Sequence, residues 1–303
     1  MNTRVLKANL LLLVAALVWG ATFVAQKRGM DTIGPMAFTG LRFLLGAACL
    51  APIAWKQIKS GQASFAGNTQ KWLPLKGILA AGILMFLGIN LQQTGLVHTT
   101  AGKAGFITGL YVIFVPILGL FWRQKVGVWG WMGISLALAG LYFLSMTSSF
   151  VLAYGDSLIL ACAFAWAGHV LVLGYFSPKM GSFVLAFGQA FVCAVLSLLM
   201  AFIVEDFTLG DIWLTRYPLF FGGVASVAIG FTLQVIGQKD SPPAHAAVIL
   251  QLEAVFAAFF GWLLLAEVMS SRSILGAGLM LAGMLTAQLG MLRRSKSVQI
   301  SEP

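Results

Sequence analysis

Glu253 and Arg42 are the residues of this 303-residue sequence whose type and setting most demand a chemical reason, because each is an ionisable group inside a long apolar run. A charge at the centre of a membrane helix costs roughly 2.5–3.5 kcal/mol on insertion scales, so each asks for a partner or a wet cavity. Glu253 stands about nine residues into its run, which at about 1.5 Å per residue is roughly 13–14 Å into a core about 30 Å thick. There a carboxyl can take up a proton near neutral pH or pair with an ammonium group, which makes it the proton-coupling candidate. The competing reading is an amide-bonded or protonated clamp between helices. Arg42, flanked by aromatic residues, can hold a carboxylate through two hydrogen bonds, or it can serve packing and topology by bonding helix carbonyls.

Uncharged candidates accompany them. Gln92, Thr108, Tyr111, Gln189, Gln234 and Gln251 offer amide and hydroxyl contacts, and Trp19 and Trp166 offer aromatic walls. Trp19, Thr22 and Phe23 share one helical face by their i, i+3, i+4 spacing, as do Trp166, His169 and Val170. The substrate-binding set is therefore Trp19, Thr22, Arg42, Gln92, Thr108, Tyr111, Trp166, His169, Gln189, Gln234 and Gln251, although tryptophans at helical spacing more often pack than bind. A proton relay from His169 to Glu253 is conceivable. Thr99, Thr100 and Ser241-Pro242-Pro243 read as helix starts, with capping as their default role. Cys49, Cys162 and Cys193 lie in apolar runs without a second ligand at metal spacing. Phosphate loops, zinc-protease motifs and paired carboxylates within spans are not visible, which argues against an ATP-driven pump or an intramembrane protease. No cofactor, metal or catalytic residue is expected.

The elements that position these residues follow from composition. With 59% hydrophobic and 9% charged residues, the chain lacks the polar surface to cover a water-soluble core. Its mean hydropathy of +0.92 agrees. Apolar segments of spanning length lie at about 9–26, 34–54, 73–96, 103–122, 127–145, 152–174, 182–204, 217–237, 244–266 and 273–291, and they are continuously apolar rather than alternating as barrel strands would be. The fold class is thus all-α integral membrane, with ten transmembrane helices. The net charge of +10 sits in short connections, so it marks topology rather than nucleic-acid binding. Most Lys and Arg fall on the side of both termini, which predicts cytoplasmic ends.

The two halves of the chain resemble each other. Trp19 recurs as Trp166, Thr22 as His169, Arg42 as Gln189, Gln92 as Gln234, Tyr111 as Glu253, and GISLALAG from Gly133 as GAGLMLAG from Gly276. Residues 1–147 and 148–303 are therefore expected to be two five-helix repeats. Five is odd, so the second copy enters the membrane inverted, with a binding site near the pseudo-twofold axis. The glycines are assigned to close helix packing.

The runs LVWGATFVAQK, FTGLRFLLGA, LQQTGLVHTTAGKAGFITGLYVIFVPILGLF (residues 91–121) and SPPAHAAVILQLEAVFAAFFGWLLLAE (residues 241–267) together resemble the EamA-type ten-helix members of the drug/metabolite transporter superfamily. The resemblance covers essentially the whole chain. It implies an inner-membrane carrier with two repeats, commonly an exporter of amino acids or other small metabolites. Two positions depart from the family pattern. Glu253-Ala254 stands where members often have Glu-Pro, so no helix break is expected there, and Arg123-Gln124-Lys125 stands where the fourth helix usually ends in an acidic residue, which the second half retains as Glu267.

Taken together, the expectation is a secondary transporter of small organic metabolites working by alternating access around a midplane cavity. Its partners would be a small-molecule substrate, the lipid bilayer and a proton or counter-solute, with monomer and homodimer both open. A multidrug exporter is the alternative within transport, which the lack of a carboxylate in the first span disfavours. A lipid scramblase is the alternative of another class.

Overall fold

A computed structural model describes residues 3–30, 32–61, 72–99, 101–121, 126–145, 153–265 and 269–300. Among them ten segments are long and apolar enough to cross a membrane, and no strand occurs. The helices are α1 (Thr3–Gly29), α2 (Pro35–Lys59), α3 (Leu73–Val97), α4 (Ala101–Gly109), α5 (Tyr111–Phe121), α6 (Val128–Ser145), α7 (Tyr154–Phe176), α8 (Ser182–Val204), α9 (Leu209–Leu214), α10 (Arg216–Phe221), α11 (Thr232–Gly237), α12 (Pro243–Leu250), α13 (Glu253–Leu265) and α14 (Ser271–Ile300). The apolar runs supply their length, and the surface stays rich in exposed Leu, Ile and Phe, as a lipid-facing surface must. The junction at 147–152, Arg123-Gln124-Lys125, Glu267 and Thr100 lie outside the described residues, as do the side chains of Phe23, Lys27 and Arg28.

Three spans are not simple helices. The fourth is α4 followed by α5, and the ninth is α12 followed by α13, so the expected uninterrupted ninth helix is corrected: it breaks at Gln251–Leu252 without a proline. The local cause is a tightened turn. Leu252 N–H donates to Ile249 O and Ala254 N–H to Gln251 O, each three residues back, and in the fourth span Leu110 N–H donates to Ile107 O and Ile113 N–H to Leu110 O in the same way. In the eighth span, the segment Gly222–Phe231 between α10 and α11 is widened into π-helix, a feature that concentrates at functional sites.

Small residues set how the spans meet. A methyl added at Gly140 would lie 2.5 Å from Gly276 O, and one added at Gly133 would lie 2.7 Å from Gly283 O, so α6 and α14 cross antiparallel with backbones in contact. Gly88 of α3 seats the Trp166 ring, and Gly230 seats Trp19 Nε1. The ends of α2 and α8 are tied reciprocally. Glu205, just past α8, accepts from Met36 N–H and Ala37 N–H at 2.9 and 2.8 Å, and Gln57, near the end of α2, accepts from Phe183 N–H and Val184 N–H at 3.1 and 3.2 Å. These bonds satisfy first-turn donors that have no partner within their own helices.

Helix neighbours between the two halves come in exchanged pairs. The first span packs on the eighth and ninth, and the sixth packs on the third and fourth. The second packs on the eighth, and the seventh on the third. The second packs with the seventh, the fourth with the ninth, and the fifth with the tenth, while the fifth also touches the ninth. The Thr99 hydroxyl donates to Asp156 Oδ1, tying the end of α3 to the start of α7.

Candidate functional site

A cavity of about 630 Å3, counting the space open to solvent, lies at the centre of the bundle. Its walls are built from both halves at matching positions: Trp19 with Trp166, Ile89 with Phe231, Gln92 with Gln234, Thr108 with Leu250, and Tyr111 with Glu253. Gln26, Arg42, Val170 and Ser226 complete it.

Aromatic rings form one wall. Phe231 lies between the two tryptophans, 4.8 Å from the Trp19 ring and stacked 6.1 Å from the Trp166 ring. Trp19 is locked in place because its indole Nε1–H donates to Ser226 O at 3.2 Å, within the π-helical segment. Sulfur, alkyl and aromatic cargo would all find contact here, and the tilted and stacked rings resist rearrangement.

Polar groups face that wall. Gln92 Nε2 donates to Thr108 Oγ1 at 3.2 Å, and Gln93 Nε2 donates to Gln26 Oε1 at 2.9 Å. Tyr111, the first residue of α5, reaches across to donate its hydroxyl to Ala247 O at 3.3 Å. Glu253, the first residue of α13, is only half-buried and lines the cavity, so its carboxylate is placed at the start of a half-helix, where unpaired backbone N–H groups favour negative charge. Gln234 Oε1 is buried and has no hydrogen-bond partner. Arg42 is 1% exposed, yet it is part of the wall. Its charge sits over the Phe38 and Phe43 rings at 5.3 and 5.4 Å, and its Nε has no hydrogen-bond partner, so the expected bonding to helix carbonyls is not what holds it.

Four of the predicted binding residues are not brought to the cavity. Thr22 is fully buried, because its hydroxyl turns back to donate to Val18 O at 2.6 Å. His169 and Gln189 bond each other instead, with 3.0 Å between Nε2 and Oε1 and both side chains buried, while His169 Nδ1 and Gln189 Nε2 have no hydrogen-bond partner. Gln251 is buried at the break of the ninth span, with its amide against Gly109. Conversely, Gln26, Ile89, Ser226, Phe231 and Leu250 are wall residues that the sequence does not single out, and Val170, on the helical face of Trp166, joins them. Ile89, Phe231 and Leu250 were recoverable from the repeat register, which pairs them with one another or with Thr108.

The cavity is closed at one end. Gln26, Gln92 and Glu253 are partly exposed, whereas Val170, Gln234 and Leu250 are buried and form the floor. Below that floor Gln238 Nε2 donates to Val170 O at 2.9 Å, Pro243 fits against Gly174, and Leu12 against Gly237. The mouth therefore faces the end where α1 and α3 finish and α2 begins.

The description of a known family fits this arrangement. A model of the EamA-like transporter family matches residues 6–146 and again residues 153–287. An uncharacterized transporter of Archaeoglobus fulgidus is 32% identical over 288 residues, covering 94% of this chain and 86% of its own. The uncharacterized transporter YoaV of Bacillus subtilis is 28% identical over 302 residues, covering 95% and 99%. A crystal structure at 20% identity superposes with a TM-score of 0.76 over 94% of this chain and 98% of that one, which supports the fold.

Proposed function

Because the chain belongs to the EamA-like transporter family and is a multi-pass membrane transporter, we propose that it is a secondary carrier that exports a small organic metabolite, an amino acid or related compound, by alternating access. The observation that carries this reading is a central cavity walled by matching residues of both halves, open at one end and sealed at the other by three helix contacts. Alternating access needs such a seal to be movable, and two spans that break beside the cavity supply places for it to move. The exchanged helix neighbours and the antiparallel α2–α8 pair support two inverted repeats, 1–147 and 148–303, related by an axis in the membrane plane. In this reading the protein lies in the inner (plasma) membrane with both termini cytoplasmic, works as a monomer or homodimer, and is driven by its substrate gradient, by protons or by a counter-solute.

The test is flux into vesicles holding the purified protein. Saturable uptake of labelled amino acids, abolished by Trp166→Ala, is the expected result. Lipid transfer between leaflets with no solute flux would establish the scramblase reading instead. A lipophilic-cation exporter is favoured by one feature, the Trp19–Phe231–Trp166 wall beside the Glu253 carboxylate, since aromatic faces and a carboxylate together attract cations.

A further inference from the structure

We propose that Arg42 is the docking point for an anionic group on the cargo, a carboxylate foremost, and that the cavity takes zwitterions, with Glu253 receiving the ammonium end. The proposal rests on the carrier reading and narrows its substrate class.

Arg42 combines three properties that a packing arginine does not need together. It is buried to 1% exposure, it lines the cavity, and its Nε is without a hydrogen-bond partner. A guanidinium carries five N–H donors in a fixed planar fork, and a buried one is costly unless those donors are met. The Phe38 and Phe43 rings take up its charge but accept none of its N–H groups in the way an oxyanion would. Those rings, with Gly222 leaving just enough room beside Cδ, hold the side chain aimed before any ligand arrives. An anion with two oxygens is the chemistry that completes such a fork.

The rest of the cavity argues for a second pole. Glu253 lines the same space, and no ion pair joins it to Arg42 among the described residues. Two opposite charges that line one cavity without an ion pair are each left unpaired unless something bridges them. A zwitterion does so, and the aromatic wall of the same cavity receives its apolar part. The second half of the chain shows that this helix position does not require a charge. Gln189 is the eighth residue of α8 as Arg42 is of α2, and it is neutral, bonded through Oε1 to His169 and away from the cavity wall.

The experiment uses the full-length protein in vesicles and two matched probe triplets: leucine and phenylalanine, the amines lacking their carboxylate, and the acids lacking their amine. Competition against the best-transported member gives apparent affinities for wild type, Arg42→Gln, Arg42→Lys and Glu253→Gln. Arg42→Gln should weaken the amino acids and the acids at least tenfold while leaving the amines within about twofold, with Arg42→Lys recovering part of the loss. Glu253→Gln should weaken the amino acids and the amines and spare the acids. An equal loss for all three members in Arg42→Gln would make the residue structural and overturn the proposal. Amines preferred by wild type and indifferent to position 42 would overturn it too, while leaving a carrier of cations. If neither triplet competes or moves, and the remaining amino acids give no flux, the carrier reading falls along with it.

Discussion

Gln251 lays its side-chain amide against Gly109, so closely that a methyl added at Gly109 would lie 2.5 Å from Nε2. The two residues are the break points of the fourth and ninth spans, and their contact makes the two interruptions a single joint beside the cavity. Tyr111 and Glu253, each starting the half-helix beyond its break, are aimed by that joint. Gly109→Ala tests it. The nearest atom, Leu141 Cδ2, belongs to a fully buried leucine that must shift as well, so the stability cost should be about 1–3 kcal/mol. The amide must swing out of place, and transport should fall on the order of tenfold. Thermal melting and initial flux measured on the same preparation check both halves of the claim; unchanged flux would mean that the joint does not move.

The reciprocal end ties of α2 and α8 are unequal in chemistry. Glu205 brings a charge to two first-turn N–H groups of α2, where Gly34 has no side chain to cap with and where a methyl would collide with the Glu205 carboxyl. Gln57 performs the same task at α8 as a neutral amide. Glu205→Ala should therefore cost about 1–2 kcal/mol and Gln57→Ala about 1 kcal/mol or less. Unfolding in a graded denaturing detergent should rank them in that order, with Glu205→Gln between Glu205→Ala and wild type.

Much of the fold was legible because lipid imposes it. A run of about twenty apolar residues has few structural options in a bilayer, so the ten spans could be drawn from composition alone. The breaks at Leu110 and Gln251–Leu252 were not legible. Gln251–Leu252 is a single tightened turn whose residues carry no breaking chemistry, and no proline directly follows Glu253. Gly109 before Leu110, and the glycines of the widened segment Gly222–Phe231, do not stand out among the 34 glycines of the chain. At the site, Trp19, Trp166, Gln92, Gln234, Tyr111 and Glu253, which the repeat register pairs, all line one cavity. Thr22, His169 and Gln189 do not, because helical spacing identifies a face, whereas a hydroxyl bonding back to its own helix or an amide finding a buried histidine removes a polar group from that face.

Glu253 offers a test of how transport is energised. A carboxyl at the start of a half-helix, half-buried on the cavity, can carry either a proton or the cargo's ammonium, but not both at once. Glu253→Gln keeps the shape and removes the titration. If protons drive the carrier, exchange of labelled for unlabelled cargo should persist in this variant while accumulation driven by a pH gradient disappears. Persistence of pH-driven accumulation would exclude Glu253 from coupling.

The mismatch between Arg42 and Gln189 predicts what the opposite state looks like. If the halves are inverted copies that exchange conformations, the arrangement now adopted around Arg42 passes to Gln189 when the floor opens, and that around Gln189 passes to Arg42. Gln189 is fully buried at present and bonded to His169, so a cysteine there should resist a membrane-impermeant maleimide in the state described. In a background with Cys49, Cys162 and Cys193 replaced, Gln189→Cys should become reactive from the end marked by Gln238 and Pro243 once cargo drives turnover. A cysteine at the neighbouring lipid-facing Phe191, 45% exposed, controls for reagent that reaches the protein through the bilayer. Labelling of Gln189→Cys that never responds to cargo would show that the two halves do not trade roles, and the loss of Arg42 from the cavity could then not serve as the step that releases the anion.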